Sequence, residues 1–159
     1  LVGQALGAGE SRRARHAGLL GLGVACGIAA LTGGVIWFGA DALARGYTTD
    51  SAVAAAAASL LAIVALYHAV DAVQAVMAQV LRGYKRATAP MVIYAVSLWG
   101  VGLGGGYLLG LTDTLGPARG AAGFWIAAVA SLSLAGAGVT GYFLRVSRQT
   151  MLTPEAIKA

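Results

Sequence analysis

Charged residues divide this chain into four long intervals of apolar and small side chains: Ala17 to Ala40, Ser51 to Leu81, Ala87 to Thr112 and Gly120 to Leu144. They hold 24, 31, 26 and 25 residues, and only the second contains a charge, Asp71. A helix crossing roughly 30 Å of hydrocarbon at about 1.5 Å per residue needs about 20 mostly apolar residues, so each interval is long enough to span a bilayer. The pattern predicts an all-α, polytopic membrane protein with spans at about 17–40, 53–81, 89–111 and 120–144 and a tail over 145–159. A soluble bundle would carry charged faces at helical spacing, and residues 17–40 and 120–144 carry none on any face. The first stretch is too long for the core of a cleaved signal peptide and is followed by three more of its kind. Alternating ten-residue segments, the mark of a membrane β-barrel, are absent.

Composition agrees with this pattern: 58% of the residues are hydrophobic and 11% charged, against roughly 25% charged in an ordinary soluble domain. The net charge of +5 would suit a nucleic-acid partner, but its placement along the chain points elsewhere. Arg12, Arg13 and Arg15 precede the first span, Arg82, Lys85 and Arg86 join the second to the third, and Arg145, Arg148 and Lys158 follow the fourth. Only Arg45 and Arg119 fall in the other two connections. Nine basic residues against two predict both ends and the middle connection on the cytoplasmic side, in a plasma membrane, or the inner membrane of a Gram-negative cell. The basic residues then act as topological anchors, and no nucleic-acid partner is needed.

Cys26 is the single cysteine, so no intrachain disulfide is possible, and it reads as a small apolar filler. His16 reads as an interfacial residue, and most of Trp37, Tyr47, Tyr84, Trp99, Tyr107, Trp125 and Tyr142 as interfacial anchors. The 24 glycines call for close helix packing: Gly23 and Gly27, Gly102 and Gly106, and Gly106 and Gly110 each stand four apart on one helix face. "WGVGLGGGYLLG", residues 99–110, supports a second use, bending or unwinding of the third helix.

Asp71 carries the candidate chemistry. With Tyr67 placed at zero and about 100° per residue, Asp71 falls near 40° and Gln74 near −20°, while His68 and Gln79 lie near 100° and 120°. Asp71 precedes Arg82 by 11 residues, about 16 Å along the axis and close to mid-bilayer. A central Asp costs about 2.5–3.5 kcal/mol on insertion scales, so this face must meet water or partner groups. Burial raises a carboxylate's pKa and a nearby cation lowers it, so one Asp can alternate between holding a proton and holding Na⁺ or a cationic substrate. Tyr67 and Gln74 can offer neutral oxygens beside it, and His68 can relay protons or simply pack.

The run "YHAVDAVQAVMAQVLRGYKRATAP", with "VGQALGAGESRRARHAG", "WGVGLGGGYLLG" and "GAAGFWIAAVASL", resembles the C-terminal part of a multidrug and toxin extrusion (MATE) transporter, from Val2 to about Arg148. Tyr67, Asp71, Gln74 and the turn Leu81–Arg82–Gly83–Tyr84 are similar to the family's tenth helix and the cytoplasmic turn after it. The resemblance implies a twelve-helix protein of two six-helix lobes around a central cavity, exchanging Na⁺ or H⁺ for cationic or amphipathic drugs. On that plan this chain is a fragment holding the ninth to twelfth helices of the C-terminal lobe, and the acidic partner from the seventh helix lies outside it. Tyr67 and Asp71 would then belong to the cation site; Gln74 and His68, from their positions on the helix, are the candidates for lining the ion or substrate path. Many members carry a Pro after a Gly in the eleventh helix, where this chain has Gly104 after Gly102 and Leu103.

Transport, not catalysis, is therefore the expectation, with Na⁺ or H⁺ as coupling ion, no other cofactor, and the bilayer, the substrate and the remaining transporter helices as partners. Two other readings stand beside it. A flippase for lipid-linked substrates of the same superfamily would favour a cationic cavity, whereas the one charge within a span here is negative. A non-transporting four-helix scaffold would use Asp71 only to hold helices together.

Overall fold

A computed structural model of the chain describes residues 1–152; Lys158 and the rest of the expected tail over 153–159 lie outside the described residues. A short helix α1 (Val2–Gly7) leads into α2 (Ser11–Tyr47) and α3 (Ser51–Gly83). The third span runs from Thr88 to Leu111 as α4 (Thr88–Val96), a π-helical segment (Ser97–Gly104) and α5 (Gly105–Leu111), and α6 (Ala121–Leu152) follows. Among the described residues four helices are thus long and apolar enough to cross a membrane, and the chain is a multi-pass membrane protein. Residues 145–152 of the expected tail continue α6 as its last turns.

Local chemistry sets the ends of these helices. Asp50 caps α3, its Oδ1 accepting from the backbone N–H groups of Ala52 at 2.8 Å and Val53 at 3.1 Å, which satisfies two donors that a helix start leaves unpaired. Lys85, at φ 58°, turns the chain between α3 and α4. Gly116 at φ 105° and Gly120 at φ 54° supply the left-handed backbone of the connection before α6.

Helix α3 packs between α2 and α6, and the third span lies along α6. The best-buried core sits at the basic end of this row, where Leu6, Met77, Leu81, Val139, Phe143 and Val146 close around Tyr84. At that end a Cβ at Gly18 would meet Val80 and Phe143 at 2.9 and 3.0 Å, and Gly83 lets Val2 of α1 approach. Much of α2 and of the third span instead presents apolar side chains outward: Leu20, Val24, Ile28, Leu31, Val35 and Phe38 on the one, Met91, Val96, Trp99 and Leu111 on the other. Outward apolar surface of this extent is what a bilayer-embedded protein shows, since lipid tails receive it at no hydrophobic cost.

The glycine-rich third span shows the close packing its sequence allows, and no unwound residue interrupts it between Thr88 and Leu111. Its backbone stays helical throughout, but Ser97–Gly104 is π-helical, a rare form that departs from the ordinary i→i+4 ladder. Gly102 in that segment lies against Ser131 of α6, with Oγ 3.0 Å from where its Cβ would stand. Gly106 and Gly110 of α5 both receive the ring of Phe124, at 2.6 and 2.7 Å by the same measure, so these two pairs do form a packing groove. Gly23 and Gly27 receive no neighbour among the described residues: a Cβ at either would meet nothing within 4 Å, and both face outward. In α2 the close approach is made by Gly33, whose Cβ would stand 3.2 Å from the carbonyl oxygen of Ala65.

Tyr84 just after α3 is buried, edge-on to Phe143 with ring centroids 5.8 Å apart, and its hydroxyl has no hydrogen-bond partner among the described residues. Burial raises its pKa above the ordinary 10.0, and the nearby positive charge of Arg15 offsets part of that rise. A raised folded-state value means that the contribution of this neutral phenol to stability is intact below about pH 10 and is lost as pH climbs through the folded-state value. Tyr84→Phe is therefore expected to be nearly neutral in a detergent melt near pH 8, because it removes an unpaired polar atom, and to melt above the parent near pH 11. A parent and variant that fall in parallel above pH 10 would contradict this assignment.

Candidate functional site

The sequence grouped Tyr67, His68, Asp71 and Gln74, and the helix packing gives each a distinct surrounding. The side of α3 that meets α6 is marked by Val70, Val73 and Gln74, against whose atoms Gly136 lies. The side that meets α2 is marked by Ala65, Val76 and Val80, opposite Gly33, Gly21 and Gly18. At about 100° per residue these two sides are centred near −65° and 185° from Tyr67, and Asp71 at about 40° projects from the middle of the open arc between them. Asp71 is half-buried, and among the described residues its carboxylate has neither a hydrogen bond nor an ion pair; the single ion pair there joins Arg13 to Glu10, at the basic end.

Its two flanking residues are each fixed by a neighbouring helix. Tyr67, on the α6 side, meets Trp125 edge-on, with ring centroids 5.5 Å apart and planes at 87°. Such an aromatic pair contributes about 0.5–1.5 kcal/mol beyond area burial and holds the phenol at one position. Asp71 and Tyr94 of α4 are the other titratable neighbours of the Tyr67 hydroxyl. On the α2 side, His68 Nε2 is 2.8 Å from Thr32 Oγ1, which is 2.9 Å from the carbonyl of Ile28. A threonine hydroxyl has one proton to give; with that proton on the helix carbonyl, Thr32 accepts from His68 Nε2–H, and Nδ1 is left as the proton-accepting nitrogen.

Tyr67, Asp71 and Gln74 therefore share a face, as their spacing requires. His68 differs from a purely lining residue in that one ring nitrogen is engaged with α2. Thr32, Tyr94 and Trp125 are additions that sequence reading did not assign to this place. Thr32 could have been noticed as a polar side chain inside the charge-free first span, but its own-helix carbonyl is the default partner there. Trp125 reads equally well as an interfacial anchor, and only the crossing of α6 over α3 joins it to Tyr67. Among the described residues no group of three or more His, Cys, Asp or Glu side chains is gathered for a metal ion.

A sequence profile of the MatE family matches residues 1–108. The chain is similar to the "Probable multidrug resistance protein NorM" of Chromobacterium violaceum, 39% identical over 158 residues, covering 98% of this chain and 34% of that protein. It is also similar to the "Multidrug resistance protein PmpM" of Pseudomonas aeruginosa, 39% identical over 132 residues, 83% of this chain and 28% of that one. The "Multidrug resistance protein MdtK" of Pectobacterium atrosepticum is 38% identical over 138 residues, 84% of this chain and 29% of that one. The chain spans about a third of the length of the curated relatives it matches.

Proposed function

Because the chain belongs to the MatE family, we propose that it serves in a secondary antiporter that exports cationic or amphipathic drugs and toxins in exchange for Na⁺ or H⁺. In this reading Asp71 is the group that exchanges the coupling cation, and the membrane is the plasma membrane, with the basic end of the helix row cytoplasmic. The observation that carries it is the place of Asp71: about 16 Å from the basic end of α3, on the open arc of that helix, with no compensating group among the described residues.

A lone carboxylate in such a place has two low-energy states. In one it takes a proton and becomes neutral, and in the other it is ionised against a cation. Binding of the coupling ion and binding of a cationic substrate then compete for one negative charge, which is the minimum an antiporter requires. Tyr67, held by Trp125, and Gln74 offer oxygens to a bound cation, while His68 Nδ1 offers a second proton acceptor beside the carboxylate. The sign of the charge favours cationic cargo over the anionic head groups that a lipid-linked flippase would handle.

The test is transport by the full-length protein in reconstituted vesicles. A fluorescent cationic dye is expected to be driven against its gradient when an opposing Na⁺ or proton gradient is imposed, and the two ions tested separately assign the coupling ion. Dye movement indifferent to both gradients, with the protein correctly inserted, would overturn the proposal.

A further inference from the structure

At the basic end, away from Asp71, two recesses open side by side between α2 and α6. The first, of about 440 Å³, is lined by Arg12, Arg15, His16, Leu19, Arg148 and Met151. The second, of about 460 Å³, shares Arg15 and Arg148 with it and adds Arg145 over Leu144 and Leu152. Four guanidinium groups thus converge from two helices, where topology alone would be served by any basic residues in the flanking segments. Arg15 is half-buried and donates to Ser147 Oγ at 3.2 Å, which ties it to α6. None of the four is ion-paired among the described residues, where the one nearby carboxylate, Glu10, is engaged by Arg13.

Like charges brought together without counter-charge repel one another, and an anion between them relieves that repulsion. The depth of the cluster says which kind of anion. Arg15 stands two residues before the first charge-free interval and Arg145 directly after the last, so the guanidinium groups lie at the head-group level of the bilayer. Below them the same face of α2 continues through Leu19, Gly23, Cys26 and Ala30, all exposed, and a Cβ at Gly23 would meet nothing within 4 Å. That strip is an exposed apolar face of α2 running from the basic recess into the hydrocarbon. A free phosphate has no use for it, whereas an acyl chain does.

We propose that the recesses around Arg15 and Arg148 bind the phosphate head group of an anionic phospholipid, whose acyl chain lies along Leu19, Gly23, Cys26 and Ala30. Arg12, Arg145 and Arg148 hold the phosphate chiefly by their positive charge, and His16 offers a further ring N–H donor. This site is independent of the exchange chemistry at Asp71.

The full-length protein, stripped of co-purified lipid, is titrated by native mass spectrometry with phosphatidylglycerol, phosphatidylcholine or inorganic phosphate. Phosphatidylglycerol is expected to bind at least tenfold more tightly than phosphatidylcholine, and equimolar inorganic phosphate should not displace it. Removing two of these charges in Arg12→Gln/Arg148→Gln, both exposed side chains, should weaken phosphatidylglycerol binding by about 25-fold, about fivefold per arginine. The Arg12→Lys/Arg148→Lys pair should retain most of it. Arg119→Gln, in the connection at the far end, should change nothing. Unchanged affinity in the Gln pair, an equal loss with Arg119→Gln, or displacement by inorganic phosphate at equal concentration would each overturn the proposal, the last by making the recess a site for free anions.

Discussion

Asp71→Asn is expected to leave the full-length protein inserted in the membrane and to reduce ion-driven efflux by one to two orders of magnitude. Asparagine keeps the shape of the side chain but can neither take up a proton nor hold a cation by charge. Insertion should not suffer, because the neutral amide is cheaper to place in mid-bilayer than the acid it replaces. On the proposed role of Asp71, what is lost is a charge-assisted contact to the bound cation, worth about 1.5–3 kcal/mol, which is roughly tenfold to a hundredfold in occupancy. Efflux and membrane content must be measured on the same preparations. Undiminished efflux would remove Asp71 from the mechanism, and a fall in assembled protein with normal transport per molecule would favour the scaffold role. Asp71→Glu provides the complementary comparison, since it retains the charge while shifting it by one methylene on a face where Tyr67 is already fixed by Trp125.

The parts of this fold that could be read without coordinates are those set by solvation. Apolar intervals longer than a bilayer is thick admit few conformations other than helices, because each unpaired backbone group in hydrocarbon costs several kcal/mol, and one interruption by Asp71 does not change that. The shared face of Tyr67, Asp71 and Gln74 follows from helical spacing in the same way. What could not be read depends on how one helix crosses another. Gly23 and Gly27 have the same four-residue spacing as Gly106 and Gly110, yet the first pair faces outward and the second receives Phe124. Spacing creates a groove but does not say which neighbour arrives. The partnership of His68 with Thr32 likewise joins residues 36 apart in sequence and requires the register between α2 and α3. The π-helical segment belongs to this group as well: its three glycines permit a departure from the α ladder, but the same composition suits a straight helix packed closely on a neighbour.

Gly123→Ala is expected to be the most damaging single methyl group that can be added to this chain. A Cβ at that position would stand 2.6 Å from the carbonyl carbon and oxygen of Leu109 and 2.7 Å from the amide nitrogen of Gly110. These are backbone atoms of α5, so no side-chain rotation can clear the space. Relief requires α5 and α6 to move apart, and that movement withdraws Phe124 from Gly106 and Gly110, loosening the contact that seats the third span on α6. Overpacking in a close-packed region costs about 1–3 kcal/mol, and here the strain falls on main chain, which places the expected loss at the upper end of that range or beyond. Gly141→Ala in the same helix supplies the control, because nothing lies within 4 Å of that glycine and alanine is the better helix former by up to about 1 kcal/mol. Thermal melts of the two variants in detergent should therefore move in opposite directions from the parent, a marked fall for Gly123→Ala and no fall for Gly141→Ala. Equal melting temperatures for the two would mean that α5 and α6 are not in backbone contact at Gly123. The outcome also bears on transport: α4 of this span places Tyr94 near Tyr67, so a displaced third span should lower efflux through the geometry around Asp71 while leaving its carboxylate intact.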